Sequence, residues 1–164
     1  MEMPLIEITE IPIEIKEYLH TINAIKYPRQ GHSSDVAIIE SNQGVFALKR
    51  TNGKLFCSWL KREIAVLNCL AKQTTLPVPA VKKFVEQQNQ NNNWALLECL
   101  EGETLRTALC TETNKGKRQE MLFHFGTILS QIHATPCPKE LQYEQKWLDH
   151  MLDQAEYNFK NYKV

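Results

Sequence analysis

The stretch Val45-Phe46-Ala47-Leu48-Lys49, with Lys54 to Gln73 behind it, decides how the chain is read. The first piece is short and alternates, which predicts a strand. Successive strand side chains point to opposite faces, so Phe46 and Leu48 share one face and Val45, Ala47 and Lys49 the other. Phe46 and Leu48 suit a core. Val45 and Ala47 make a smooth, small-residue surface that ends in a lysine. The second piece predicts a helix. At about 100° per residue, Phe56, Leu60, Glu63, Leu67 and Leu70 fall on one stripe. That puts Glu63 near the middle of an apolar stripe, where a bare carboxylate is expensive to bury. The nearest strand lysine upstream is Lys49, so a Lys49–Glu63 ion pair between strand and helix is expected. Desolvation offsets most of the Coulomb gain in buried pairs of this kind. Placing a lysine to meet a phosphate is a better reason for one. The competing reading has Lys49 ending an edge strand and Glu63 reaching solvent beside Lys61 and Arg62.

A chain of 164 residues suffices for one domain with a sizeable core. Its 43% hydrophobic and 23% charged content is that of an ordinary soluble globular protein. The formal net charge is zero and no Lys/Arg block occurs, so neither nucleic acid nor an anionic membrane is expected as a partner. The five cysteines, Cys57, Cys69, Cys99, Cys110 and Cys137, are odd in number and form no C-x-x-C pair. They predict free thiols in a reducing cytosol, with no disulfide scaffold or zinc site. Met1-Glu2-Met3-Pro4 lacks the long apolar run of a signal peptide, and no stretch is long and apolar enough to span a bilayer. The expected location is cytoplasmic.

Taken in order, Pro12 to Thr21 predicts a short helix packed on the outside of the strands after it, with Pro12 in its first turn. Ile22 to Arg29 reads as a weak strand and Val36 to Glu40 as the next. Between them lies the polar turn Gly31-His32-Ser33-Ser34-Asp35-Val36. Ser41-Asn42-Gln43-Gly44 is a turn into Val45–Arg50. A Gly/Ser hairpin turn can donate backbone N–H groups to a phosphate, or simply turn the chain. Leu76-Pro77-Val78-Pro79 is an extended breaker. Val81 to Gln87 and Trp94 to Leu100 read as strands, joined by an exposed loop over Gln87–Asn93. Beyond Glu101-Gly102 the pattern turns helical: Leu105 to Cys110, then Arg118 to Ala134 with Met121, Phe125, Ile128, Leu129 and Ile132 as its apolar stripe, then Lys139 to about Tyr162. The expected organisation is an N-terminal helical extension (1–21), a β-rich lobe (22–100), and a connector leading into the start of a helical lobe (101–164).

This order of segments resembles the aminoglycoside phosphotransferase branch of the protein-kinase-like superfamily. The matching pieces are Gly31-His32-Ser33-Ser34-Asp35-Val36, Phe46-Ala47-Leu48-Lys49, Glu63, Leu76-Pro77-Val78-Pro79, Leu97-Glu98-Cys99-Leu100-Glu101-Gly102 and Leu129-Ser130-Gln131-Ile132-His133. The resemblance implies an α+β fold: an antiparallel sheet with one packed helix, followed by the first helices of a helical lobe. It implies that Lys49, held by Glu63, contacts the α/β-phosphates of ATP or GTP, with Mg2+ present in the full-length protein. Gly31, Ser33 and Ser34 would cover the phosphates. Val36 and Ala47 would face the base, and Glu98 and Leu100 would offer backbone groups to its edge. His133 would be structural.

One departure stands out. Phosphoryl transfer in this superfamily also uses an H-x-D-x-x-x-x-N loop and a later Asp for Mg2+. The nearest match is His150-Met151-Leu152-Asp153 with Asn158. There the Asp–Asn spacing is right, but the histidine is one residue too far away and the segment reads as continuous helix. The chain is therefore expected to be the amino-terminal, nucleotide-binding part of a small-molecule kinase, inactive alone. The alternative is a non-catalytic interaction or nucleotide-sensing module, and a third reading is an unrelated α+β domain. An apolar face left open on the helical part predicts self-association. The acceptor stays open among aminoglycoside, macrolide, choline, homoserine and sugar-like alcohols.

Overall fold

The alternation of Phe46 and Leu48 with Ala47 and Lys49 makes the central strand of a five-stranded antiparallel sheet. The computed structural model describes residues 6–28, 33–87, 91–142 and 147–161. The strands β1 (Ile22–Lys26), β2 (Asp35–Ser41), β3 (Gly44–Asn52), β4 (Val81–Gln87) and β5 (Asn92–Glu98) run in the order β1-β2-β3-β5-β4. Along β2–β3, Val36 pairs with Lys49, Ala37 with Leu48, Ile38 with Ala47 and Ile39 with Phe46. Along β3–β5, Leu97 pairs with Ala47, Leu96 with Leu48 and Ala95 with Lys49. This register sorts the side chains cleanly between two faces.

One face carries Ala37, Ile39, Phe46, Leu48, Trp94 and Leu96, all buried. Ile6, Ile11, Ile15 and Leu19 close over them from the N-terminal segment and α1 (Ile13–Leu19). Pro12 to Thr21, expected to pack on the outside of the strands, thus supplies Ile15 and Leu19 to the core, beside Ile6 and Ile11 from the segment before it. Ile15 and Leu19 are fully buried, each worth about 1.5–3 kcal/mol of transfer free energy. On the other face Ala95 and Leu97 meet Leu60 and Ile64 of α2 (Lys54–Gln73), with Ala47, Leu67, Val81 and Phe84 packed around them.

Gly53, at φ 90°, turns the chain from β3 into α2, a setting that suits glycine. The Asn91 carbonyl accepts from the Gly53 N–H at 2.9 Å and from the Cys57 thiol at 3.0 Å. Asn93 Nδ2 donates to the Cys57 carbonyl at 3.0 Å. These bonds pin the first turn of α2 to β5. Asn93, expected in an exposed loop, is a buried strand residue for this reason.

Other boundaries also differ from expectation. β1 stops at Lys26, two residues before Pro28, which lacks the N–H a ladder needs. β5 ends at Glu98, so Cys99 and Leu100 belong to the connector. α3 (Leu105–Thr111) is capped by Thr104, whose hydroxyl accepts the Thr107 N–H at 3.2 Å. The next helix, α4 (Lys115–Ala134), begins three residues earlier than expected. Asn114 Oδ1 accepts from Gly116 at 2.8 Å and Lys117 at 3.2 Å, satisfying the first turn there. Lys139–Leu141 is a separate 3-10 turn, and α5 is Trp147–Asn161. The expected stripe of α4 exists, but no α4 residue is buried by the described residues. No helix among those residues is long and apolar enough to cross a membrane. All five cysteines are free thiols.

Candidate functional site

The site is built on the α2-facing side of β2 and β3. Val36, Ala47 and Lys49 share that face, and Ile38 joins them because it pairs directly with Ala47. Ile38 is not singled out by the sequence reading, although the alternation Val36-Ala37-Ile38 implies it. The Lys49 Nζ lies 2.5 Å from Glu63 Oε1. The expected strand-to-helix ion pair is present, and the reading in which Glu63 turns away to solvent is excluded.

The pair is not buried as deeply as the stripe suggests. The Lys49 side chain is 25% exposed and that of Glu63 41%. The stripe of α2 is centred on Leu60 and Ile64, and Glu63 sits roughly 60° round from Leu60, on the flank. Ile64 is the residue that the sequence reading misses. This position lets the carboxylate reach Lys49 from the rim of the packed helix without losing its water. Neighbouring charges tie α2 elsewhere. Lys61 Nζ meets Glu86 of β4 at 3.0 Å, and Arg62 donates to the Leu141 carbonyl beyond α4.

The remaining residues of the expected site fall around this pair. Ser33 and Ser34 directly precede β2, with Ser34 one position before Asp35, the first β2 residue, which pairs with Arg50 of β3. Gly31 lies outside the described residues. At the other end of β3, Glu98 pairs with Phe46. Its N–H donates to the Ala80 carbonyl at 2.8 Å, and its Oε2 accepts the Ala80 N–H at 3.1 Å. What Glu98 can offer a base edge is therefore its carbonyl. Leu100 is exposed in the connector. Chemically, this is an apolar strand face with a paired ammonium group at one end and the Glu98 carbonyl and the exposed Leu100 at the other.

Residues 24–163 match the model of the phosphotransferase enzyme family APH. The chain belongs to this family. The APH chain is also similar in fold to solved phosphotransferases. A mutant of aminoglycoside 2'-phosphotransferase-IIIa, solved as its GDP complex, is 12% identical, with a TM-score of 0.59 over 89% of this chain and 49% of that one. Spectinomycin phosphotransferase APH(9)-Ia, solved with ADP and spectinomycin, is 14% identical, with a TM-score of 0.56 over 92% of this chain and 47% of that one. The APH chain thus spans about half the length of each. No curated protein matches it in sequence.

Proposed function

We propose that this chain is the nucleotide-binding part of an ATP- or GTP-dependent phosphotransferase that phosphorylates an alcohol group of a small molecule. The observation that carries the reading is the Lys49–Glu63 pair at 2.5 Å beside the strand face of Val36, Ile38 and Ala47. A pair this exposed contributes only about 0–1 kcal/mol to stability, so stability alone does not account for it. A lysine held by a carboxylate at the end of an apolar strand face has the chemistry to meet the α/β-phosphates of a nucleotide whose base lies on that face. Membership of the family and the nucleotide complexes of two structural neighbours support the same reading.

In this proposal Gly31, Ser33 and Ser34 cover the phosphates, while the Glu98 carbonyl and the Leu100 backbone read the base edge. Among the described residues no group of three or more His, Cys, Asp or Glu side chains could hold a metal ion. The Mg2+ of this proposal belongs to the full-length protein, where the family uses a later Asp to hold it. The functional division is an N-terminal extension (1–21), a nucleotide lobe (22–100), and a connector with the first helices of the acceptor lobe (101–164). His150, Asp153 and Asn158 lie on one continuous helix and are assigned no catalytic-loop role, so the chain binds nucleotide without transferring phosphate. A cytoplasmic location fits the five free thiols.

The second reading, a non-catalytic interaction module, is favoured by α4. Phe125, Ile128, Leu129 and Ile132 form an exposed stripe there, and Phe123, on the opposite side, is 73% exposed. Titration of the chain with MgATP and MgGTP tests the first reading. Wild type is expected to bind at least one, and Lys49→Ala to lose measurable binding; equal affinity in both proteins rejects it.

A further inference from the structure

Arg50 follows Lys49 on β3 and so points to the opposite face. There its side chain is 7% exposed. Nε and Nη2 donate to Asp35 Oδ2 at 2.9 and 2.7 Å, and Nη1 donates to Glu10 Oε2 at 2.9 Å. The guanidinium carbon stands 5.5 Å from the centre of the Trp94 ring. Glu10 Oε2 also accepts the Glu7 N–H at 2.9 Å, which closes the small turn that carries it. A planar fork that spans two carboxylates from different segments fixes their relative position more tightly than a point charge would.

The end of β1 and the start of β2 flank the connection between those two strands. Asp35 is the first residue of β2. Just past the end of β1, the Tyr27 hydroxyl donates to the Ile6 carbonyl at 2.5 Å. Both stems are therefore tied to the same N-terminal piece, one at Ile6 and one through Arg50 at Glu10. That piece is seated by Ile6, Ile11, Ile15 and Leu19 in the core, so it is a rigid reference. On the other side of Asp35 stands Val36, directly opposite Lys49.

We propose that Arg50, with Glu10 and Asp35, is a positioning cluster. From the far face of the sheet it sets where Ser34 and Val36 stand relative to Lys49, and so sets affinity for the phosphate part of a nucleotide. The proposal rests on the nucleotide-binding reading. Well-packed apolar groups could replace a buried ion cluster with no loss of stability, so stability does not account for a charge here. A role in holding one strand end in register with a phosphate-binding lysine does.

The test compares MgATP with adenosine, which lacks the phosphates, on wild type, Glu10→Gln, Arg50→Lys and Lys49→Ala. Glu10→Gln and Arg50→Lys are expected to weaken MgATP about fivefold or more while changing adenosine less than about twofold. Equal losses for both ligands, or no loss, overturn the proposal. Should Arg50→Lys not fold, Glu10→Gln decides, because its side chain is 45% exposed and its substitution spares the core. Should wild type bind MgGTP and not MgATP, the same comparison is made with MgGTP and guanosine; a wild type that binds neither nucleotide brings down the nucleotide reading and this proposal together. Wild-type binding that Lys49→Ala abolishes, with no discrimination by Glu10→Gln, brings down this proposal alone.

Discussion

Lys49 and Arg50 are adjacent on β3 and serve opposite faces of the sheet. The first reaches Glu63 of α2 at 2.5 Å, and the second forks to Asp35 and Glu10 with its side chain 7% exposed. Pleating alone produces this division, since neighbouring strand residues cannot share a face. The consequence is that one cation is partly open to solvent while the other is enclosed in structure. Substitutions at the two positions should therefore differ in what they cost in stability.

At the open pair, function and stability should separate. Lys49→Ala and Glu63→Gln are expected to shift unfolding by no more than about 1 kcal/mol, because the pair is partly exposed. Under the proposed function Lys49→Ala abolishes MgATP binding and Glu63→Gln weakens it. Urea unfolding and nucleotide titration of the same preparations check this; a large stability loss without a change in binding would contradict it.

At the enclosed cation, removal of the charge should cost stability as well. Arg50→Ala leaves the Asp35 carboxylate, 13% exposed, without its main cation. A loss of about 3–5 kcal/mol is expected. The double variant Arg50→Ala with Asp35→Ala should recover part of that loss, and a denaturant double-mutant cycle measures the coupling.

The centre of the α2 stripe can be located the same way. Ile64→Ala removes a side chain that is 6% exposed within the α2 cluster, and about 2–5 kcal/mol is expected to be lost. Val66→Ala, on a side chain 37% exposed, should stay within about 0.5 kcal/mol of wild type. Similar losses at both sites would mean that α2 is rotated on the sheet.

Helix α4 presents Phe125, Ile128, Leu129 and Ile132 as an exposed stripe, with Phe123 exposed on its opposite side. A patch of this kind favours association. The chain of 164 residues is expected to self-associate in sedimentation velocity as concentration rises, and Ile128→Glu with Ile132→Glu should shift it toward monomer. A wild type that stays monomeric at high concentration would show that the face is tolerated by solvent.

Period and punctuation are enough to read much of this chain. Alternation over Val45–Lys49, the helical stripe beginning at Phe56, and the Leu76-Pro77-Val78-Pro79 breaker yield a strand, a helix and an extended link in that order. They yield the Lys49–Glu63 partnership as well, because a carboxylate beside an apolar stripe demands a cation and Lys49 is the nearest strand lysine before it. These are local properties of spacing and charge. Tertiary structure decided what depends on distant segments meeting. Nothing around Glu10 or Asp35 shows that both reach Arg50, forty and fifteen residues away in sequence. Nor does the short N-terminal helix show that Ile15 and Leu19 complete the core under β3. Asn93 reads as loop by composition and becomes a buried strand residue because the Cys57 carbonyl lies beside it. Burial and ion-pair partners are set by sheet register and by which face each helix covers, and these emerge only when the strands pair.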